Sequence, residues 1–146
     1  NQEEACALLN MESTIPGGVE SSVELTPEVQ RKLAMVLAKT YSCTALISGE
    51  TDAVSDGERS MLLSGGDARI KRITGSGCML SALCALLCGT GLAPYEAACA
   101  AGTIWKKSAE IAKTRTDKMQ GGIGSFYVHL LDALDGICHG NLSMKC

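Results

Sequence analysis

Arg72-Ile73-Thr74-Gly75-Ser76-Gly77-Cys78-Met79-Leu80-Ser81-Ala82 is a glycine turn that runs directly into an apolar stretch. A glycine-rich turn between a strand and a helix lays out several backbone N–H groups as a concave nest. The helix N-terminus adds partial positive charge, so such a turn can hold an oxyanion without a basic side chain. Glycine lets the backbone approach the anion closely and take positive φ. The same letters also suit a tight strand-to-helix connection with no ligand, and Gly-x-Gly alone does not separate the two. The turn is neither the dinucleotide pattern, which needs a third glycine, nor a Walker A loop, which needs Gly-Lys-Ser or Gly-Lys-Thr.

The chain reads outward from this turn as alternating helices and short strands. Downstream, Cys78 to Cys88 is nearly all apolar and predicts a buried helix that ends at Gly89-Thr90-Gly91. Pro94 opens a longer helix, in which Ala97, Ala98, Ala100, Ala101 and Gly102 permit close packing. Its far end, Trp105 to Arg115, is more polar, and Lys106-Lys107 and 113–118 read as a solvated helix end. Gly121, Gly122 and Gly124 precede a last helix from Ser125 or Phe126 to about Cys138, and 139–146 is expected to be a flexible tail. Upstream, Arg69 to Ile73 is expected to be the strand that feeds the turn, with Ile70 and Ile73 as its apolar members. Asp56-Gly57 between Asp52–Ser55 and Arg59–Leu63 is a hairpin signal. Cys43 to Ile47, entered from a helix, predicts a parallel strand buried on both sides. Before it, Thr26 caps a helix with Pro27 at its first position and Val29, Leu33, Val36 and Leu37 on its inner stripe. Asn1 to Asn10 predicts a short helix with Ala5, Leu8 and Leu9 on one side, followed by a loop at Pro16-Gly17-Gly18. The class is α/β, with the hairpin making the sheet not purely parallel.

Composition narrows the function. The 146 residues are 46% hydrophobic with only one Trp, three Tyr and one Phe, so the core is built from aliphatic residues, Met and Cys. A formal charge of −3 offers no basic field for a nucleic-acid backbone, so no nucleic-acid partner is expected. The Cys78–Cys88 run falls far short of the ~20 residues of a membrane span, so no membrane partner is expected either. Eight cysteines are many for this length. Most lie in helical or strand patterns rather than turns, which points to reduced thiols in a cytoplasmic protein instead of a disulfide scaffold. Cys84 and Cys88 share a helix face, but no nearby histidine completes a zinc site.

Four stretches together resemble the hydroxyethylthiazole kinases. Residues 72–82 resemble that family's V-T-G-[TAS]-G-C-x-L-[ST] signature, with Cys78 as the distinctive letter; most kinases of the wider ribokinase-like superfamily place Asp there. Ile47-Ser48-Gly49-Glu50-Thr51-Asp52, followed by Ser55-Asp56-Gly57, is similar to T-G-E-x-D-x-[IV]-x-D-G. Gly18-Val19-Glu20-Ser21 is similar to G-V-D-S. Gly122-Ile123-Gly124-Ser125-Phe126, with Leu130-Leu131-Asp132-Ala133-Leu134, is similar to G-P-G-S-F…L-L-D-A-L. Ser48 for Thr keeps a hydroxyl, Glu20 for Asp keeps a charge on a longer arm, and Ile123 for Pro loosens a turn.

The resemblance implies the C-terminal half of a ribokinase-like layered sheet with flanking helices, over residues 1–138. It implies transfer of the γ-phosphoryl of ATP, with Mg²⁺, to the hydroxyethyl group of 4-methyl-5-(2-hydroxyethyl)thiazole in thiamine biosynthesis or salvage. Gly75, Ser76 and Gly77 would form the anion hole and line the substrate pocket, and Ser48 and Gly49 would contact ATP. Cys78 stands where the superfamily keeps its catalytic base. A loose phosphoryl-transfer transition state asks little of a base, while a cysteine opening an apolar helix is also explained by packing. Asn1 and Glu4 form an N-x-x-E pair, which in ribokinase-like enzymes organises Mg²⁺ through water. Asn at an N-cap with Glu three residues later is equally a helix capping box. His129 and His139 have no Ser or Cys partner at a triad spacing and read as structural or solvent-facing.

A complete family member is roughly twice this length, so the sequence reads as a fragment or as one of two chains. The family also implies a homotrimer with sites at subunit boundaries. Two alternatives stand beside the kinase: a truncated, non-catalytic nucleotide- or phosphate-binding module, and a ribokinase-like kinase for another small alcohol. Cys78 in place of Asp argues against the last.

Overall fold

Helix α1 (Gln2–Leu8) begins at Asn1, whose side chain accepts the N–H of Glu4, while the Glu4 carboxylate reaches back to the Asn1 nitrogen. Both halves of the capping box are present. The computed structural model describes residues 1–10 and 26–140. The expected loop at Pro16-Gly17-Gly18, the Gly18–Ser21 match and most of the expected 139–146 tail lie outside the described residues. The chain divides into two compact units, residues 1–63 and 64–146.

In the first unit, α2 (Pro27–Tyr41) starts as its sequence predicts. The Thr26 hydroxyl accepts the N–H of Val29 at 3.3 Å, and Pro27 takes a first-turn position whose missing N–H costs nothing. The helix ends at Ser42 in the left-handed region (φ 51), where the N–H of Cys43 closes on the carbonyl of Ala38. Its buried stripe is Gln30, Leu33, Ala34 and Ala38, with Leu37 packed against the core and Val36 turned outward. Strands β1 (Ala45–Ile47), β2 (Asp52–Ser55) and β3 (Ser60–Leu63) form one sheet in the order β1-β2-β3. Both pairings are antiparallel, with Ile47 opposite Ala53 and Val54 opposite Met61. The expected parallel strand is therefore corrected. Only residues 48–51 separate β1 from β2, and a parallel return needs a crossover of about a dozen residues. Ala5, Leu33, Ala34, Ile47 and Ala53 make the core of this unit, and Cys6 and Leu9 pack on it. Leu8, expected beside them, is exposed.

The second unit is helical. Arg69 to Ile73, expected as a strand, instead lies mostly in a short 3₁₀ helix (Ala68–Arg72) capped by Asp67, whose carboxylate accepts the N–H of Arg69 at 2.9 Å. That local cap competes with extended structure for the same backbone. Three α-helices follow: α3 (Ser76–Gly89), α4 (Pro94–Lys118) and α5 (Ile123–Cys138). Helix α4 packs on both others through Ala97, Ala98, Ala101, Gly102, Ala109 and Ala112, small side chains that bring helix axes close. Opposite them stand Phe126, Leu130 and Ala133, all fully buried on α5.

Two expectations fail here. The apolar α3 is not buried all round: Leu80 and Leu83 are covered, whereas Leu86 is 61% exposed. Lys106, read as solvated, is only 6% exposed and sends Nζ toward the Gly65 carbonyl at 3.4 Å. It lies four residues after Gly102 and three before Ala109, which places it on the buried stripe of α4. Charge suggested the surface, but helical phase decided.

Candidate functional site

The glycine turn is built from the 3₁₀ helix forward. Arg69 donates to Asp67 through Nε (2.7 Å) and to Asp117 at the end of α4 (2.9 Å), and its guanidinium lies 4.8 Å from the Phe126 ring centre. These partners raise the Arg69 pKa, Asp67 first, and the Arg69 hydrogen bond in turn holds the Asp67 carboxyl below its usual range. Arg69 thus ties the segment entering the turn to the Gly122–Phe126 motif. Ile73 is buried, and its carbonyl takes the N–H of Ser76 at 3.2 Å.

Gly75 is the N-cap of α3 at φ +83, a conformation only glycine adopts cheaply. No side chain caps this helix, and among the described residues no acceptor takes the N–H of Gly77 or Cys78. A Cβ placed on Gly75 or Gly77 would meet nothing within 4 Å. Gly77 has neither a left-handed φ nor a crowding neighbour, so the chain itself gives no reason for glycine there. An unfilled space at a helix start with free N–H groups fits a phosphate oxygen. Cys78, in the first turn of α3, is an exposed free thiol. Cys84 on the same helix is half-buried, and burial pushes its thiol upward, with Cys88 adding to the effect.

In the first unit, Ser48 and Gly49 follow the last residue of β1. Gly49 donates its N–H to the buried Asp52 carboxylate at 2.8 Å. Gln30, 6% exposed on α2, donates Nε2 to the Ile47 carbonyl at 2.9 Å. Sequence reasoning missed Gln30. The signal was available: an amide three and four residues before Leu33 and Ala34, within an apolar stripe. Asn1 and Glu4 are brought together by the capping box. The Glu4 side chain is 71% exposed, which leaves its carboxylate open to a hydrated cation. Among the described residues no group of three or more His, Cys, Asp or Glu gathers as a metal cage. Mg²⁺ usually keeps several waters and one or two carboxylates, so Glu4 fits it only in that partial way. The expected residues thus fall in two sets, Asn1, Glu4, Ser48 and Gly49 in the first unit and Gly75–Cys78 in the second. His129 sits 3.0 Å from the hydroxyl of fully buried Thr116, a tie between α4 and α5.

The model of the hydroxyethylthiazole kinase family matches residues 1–140. The chain belongs to that family. Hydroxyethylthiazole kinases from Alkaliphilus oremlandii and Lysinibacillus sphaericus are 38% and 34% identical to it, over 80% and 92% of this chain and 42% and 50% of their own lengths. The solved hydroxyethylthiazole kinase structure from Pyrococcus horikoshii superposes with a TM-score of 0.63 at 30% identity, covering 73% of this chain and 40% of that one. The fold is accordingly the C-terminal half of a ribokinase-like α/β layer. The chain spans about half the length of the curated relatives it matches. No described helix is long and apolar enough to cross a membrane.

Proposed function

We propose that this chain supplies the phosphate-handling part of a kinase that transfers the γ-phosphoryl group of ATP to the hydroxyethyl group of 4-methyl-5-(2-hydroxyethyl)thiazole. The start of α3 carries the reading: Gly75 at φ +83, N–H groups of Gly77 and Cys78 with no acceptor among the described residues, and open space over both glycines. Phosphoryl transfer passes through a loose transition state, so positioning and fixed dipoles do most of the catalytic work. In this reading the N–H groups of Gly77 and Cys78 hold the phosphoryl oxygens and Gly75 shapes the turn, whereas the N–H of Ser76, expected among the donors, is taken by the Ile73 carbonyl; the Cys78 thiolate takes the proton of the substrate hydroxyl. Ser48 and Gly49 contact the nucleotide, and Glu4, with Asn1, holds Mg²⁺ through water. The metal, when bound, would neutralise charge developing between the phosphates. By the same resemblance the working protein is a homotrimer in the cytoplasm.

Turnover of ATP with the thiazole alcohol tests the reading, measured for the assembled wild-type protein, Cys78→Asp and Cys78→Ala. Asp should retain or raise kcat, because a carboxylate at this helix start is a ready base. Ala should lower kcat by about 10²-fold yet leave measurable activity, since the anion hole remains. An inactive, unstable Asp variant beside a fully active Ala variant would end the role of Cys78. The same open helix start also suits a second reading, a nucleotide-binding module without turnover. Saturable ADP binding with no phosphorylated alcohol in the assembled protein would favour it.

A further inference from the structure

We propose that Gln30 is the positioning residue for the nucleotide-contacting strand end, setting the placement of Ser48 and Gly49 through the Ile47 carbonyl. The proposal rests on the reading above that Ser48 and Gly49 touch the nucleotide. An amide on an apolar helix stripe loses its hydration on burial and needs bonds in return. Gln30 is 6% exposed, and its Nε2 reaches the carbonyl of the last β1 residue at 2.9 Å.

The same amide lies against the next turn of the chain. A Cβ on Gly49 would stand 2.7 Å from Gln30 Nε2 and 3.0 Å from Oε1. A side chain at Gly49 would therefore push the end of the Gln30 side chain off the Ile47 carbonyl. Gly49 gives its N–H to Asp52, which is 3% exposed. Ser48 is thus the residue suspended between two fixed points, the Ile47 carbonyl and the Gly49 amide. The placement of its backbone, and so of its Cβ, follows from where Gln30 and Asp52 hold those points. An apolar side chain at position 30 would fill the stripe but leave the strand end without its tether.

Calorimetric titration of MgADP tests this in the wild-type chain, Gln30→Met, Ser48→Ala and Leu33→Ala, with the melting temperature of each. Leu33 is buried in the same core and serves as the stability control. Gln30→Met should weaken MgADP about tenfold, the loss of one buried tether. Leu33→Ala, which lowers the melting temperature at least as much, should stay within about twofold of wild type. Should Gln30→Met not fold, Gln30→Glu keeps the shape while removing the donor, and the same weakening is expected. If Ser48→Ala weakens binding but the Gln30 variant merely tracks Leu33→Ala, the positioning role is overturned and the nucleotide reading stands. If Ser48→Ala binds as wild type, or the wild-type chain takes up no MgADP, the nucleotide reading fails and the proposal falls with it.

Discussion

Gly49 and Gly77 are both glycines in motifs of this family, and the structure gives them opposite reasons to be glycine. Gly49 is crowded: a Cβ there would press on the buried Gln30 amide at 2.7 Å. Gly77 is open, with nothing within 4 Å of the same added atom. The first lets the protein approach itself closely. The second leaves open space at the start of α3. A glycine required by internal packing should fail in stability when substituted, and one required by a ligand should fail in binding.

The largest effect is expected at the open site. Gly77→Val should abolish the thermal shift induced by ADP, because the side chain occupies the space over the free N–H groups. Its own stability should change by only about 0.5 kcal/mol, since Val is no poorer a helix former than Gly and meets no neighbour. Equal ADP shifts in the variant and wild type would move the phosphate site away from this turn. Gly49→Ala should show the reverse. Gln30 must give up its bond to Ile47 to make room, at a cost of about 1–3 kcal/mol in urea unfolding. An unchanged unfolding midpoint would show that the strand end is as open as the turn.

The smallest effect sharpens the contrast within the first unit, where polar side chains fix backbone. In the β2–β3 hairpin the Asp56 carboxylate accepts the N–H groups of Glu58 (3.0 Å) and Arg59 (2.7 Å) and the Arg59 Nε (2.8 Å). The Arg59 backbone N–H leads in holding the Asp56 pKa down at about 2, from 3.8. A carboxyl with a depressed folded pKa binds its proton more readily when unfolded. Its stabilising effect is therefore full above about pH 4 and is lost as pH falls toward about 2. Thermal melts across that window should fall less steeply for Asp56→Asn than for wild type. Parallel slopes would show that Asp56 does not hold the turn. Asp67, lowered in the same sense by Arg69, titrates in both proteins and cancels in the difference.

What was legible in the sequence was local. Thr26-Pro27-Glu28 marks its helix start because a cap and its N–H lie three residues apart, and Asp56-Gly57 marks its hairpin because the turn closes on itself. The Gly75–Cys78 turn was legible for the same reason: a left-handed glycine, a helix start and a cysteine are adjacent letters. The site's supporting contacts were not. Gln30 and Ile47 are 17 positions apart, and Arg69 and Asp117 are 48 apart. No periodicity within either segment names the other.

The sequence by itself therefore determined the helices, the hairpin, the family and the motifs proposed to carry its chemistry, since caps, turns and apolar phase act over a few residues. Tertiary structure alone decided that β1 pairs antiparallel, that residues 68–72 coil instead of extending, and that α3 keeps an uncovered apolar face. It also decided which distant carbonyls the buried Lys106 and Gln30 meet. Each of these depends on which distant groups meet, and a buried polar group finds its hydrogen-bond partner by position in space, not by distance along the chain.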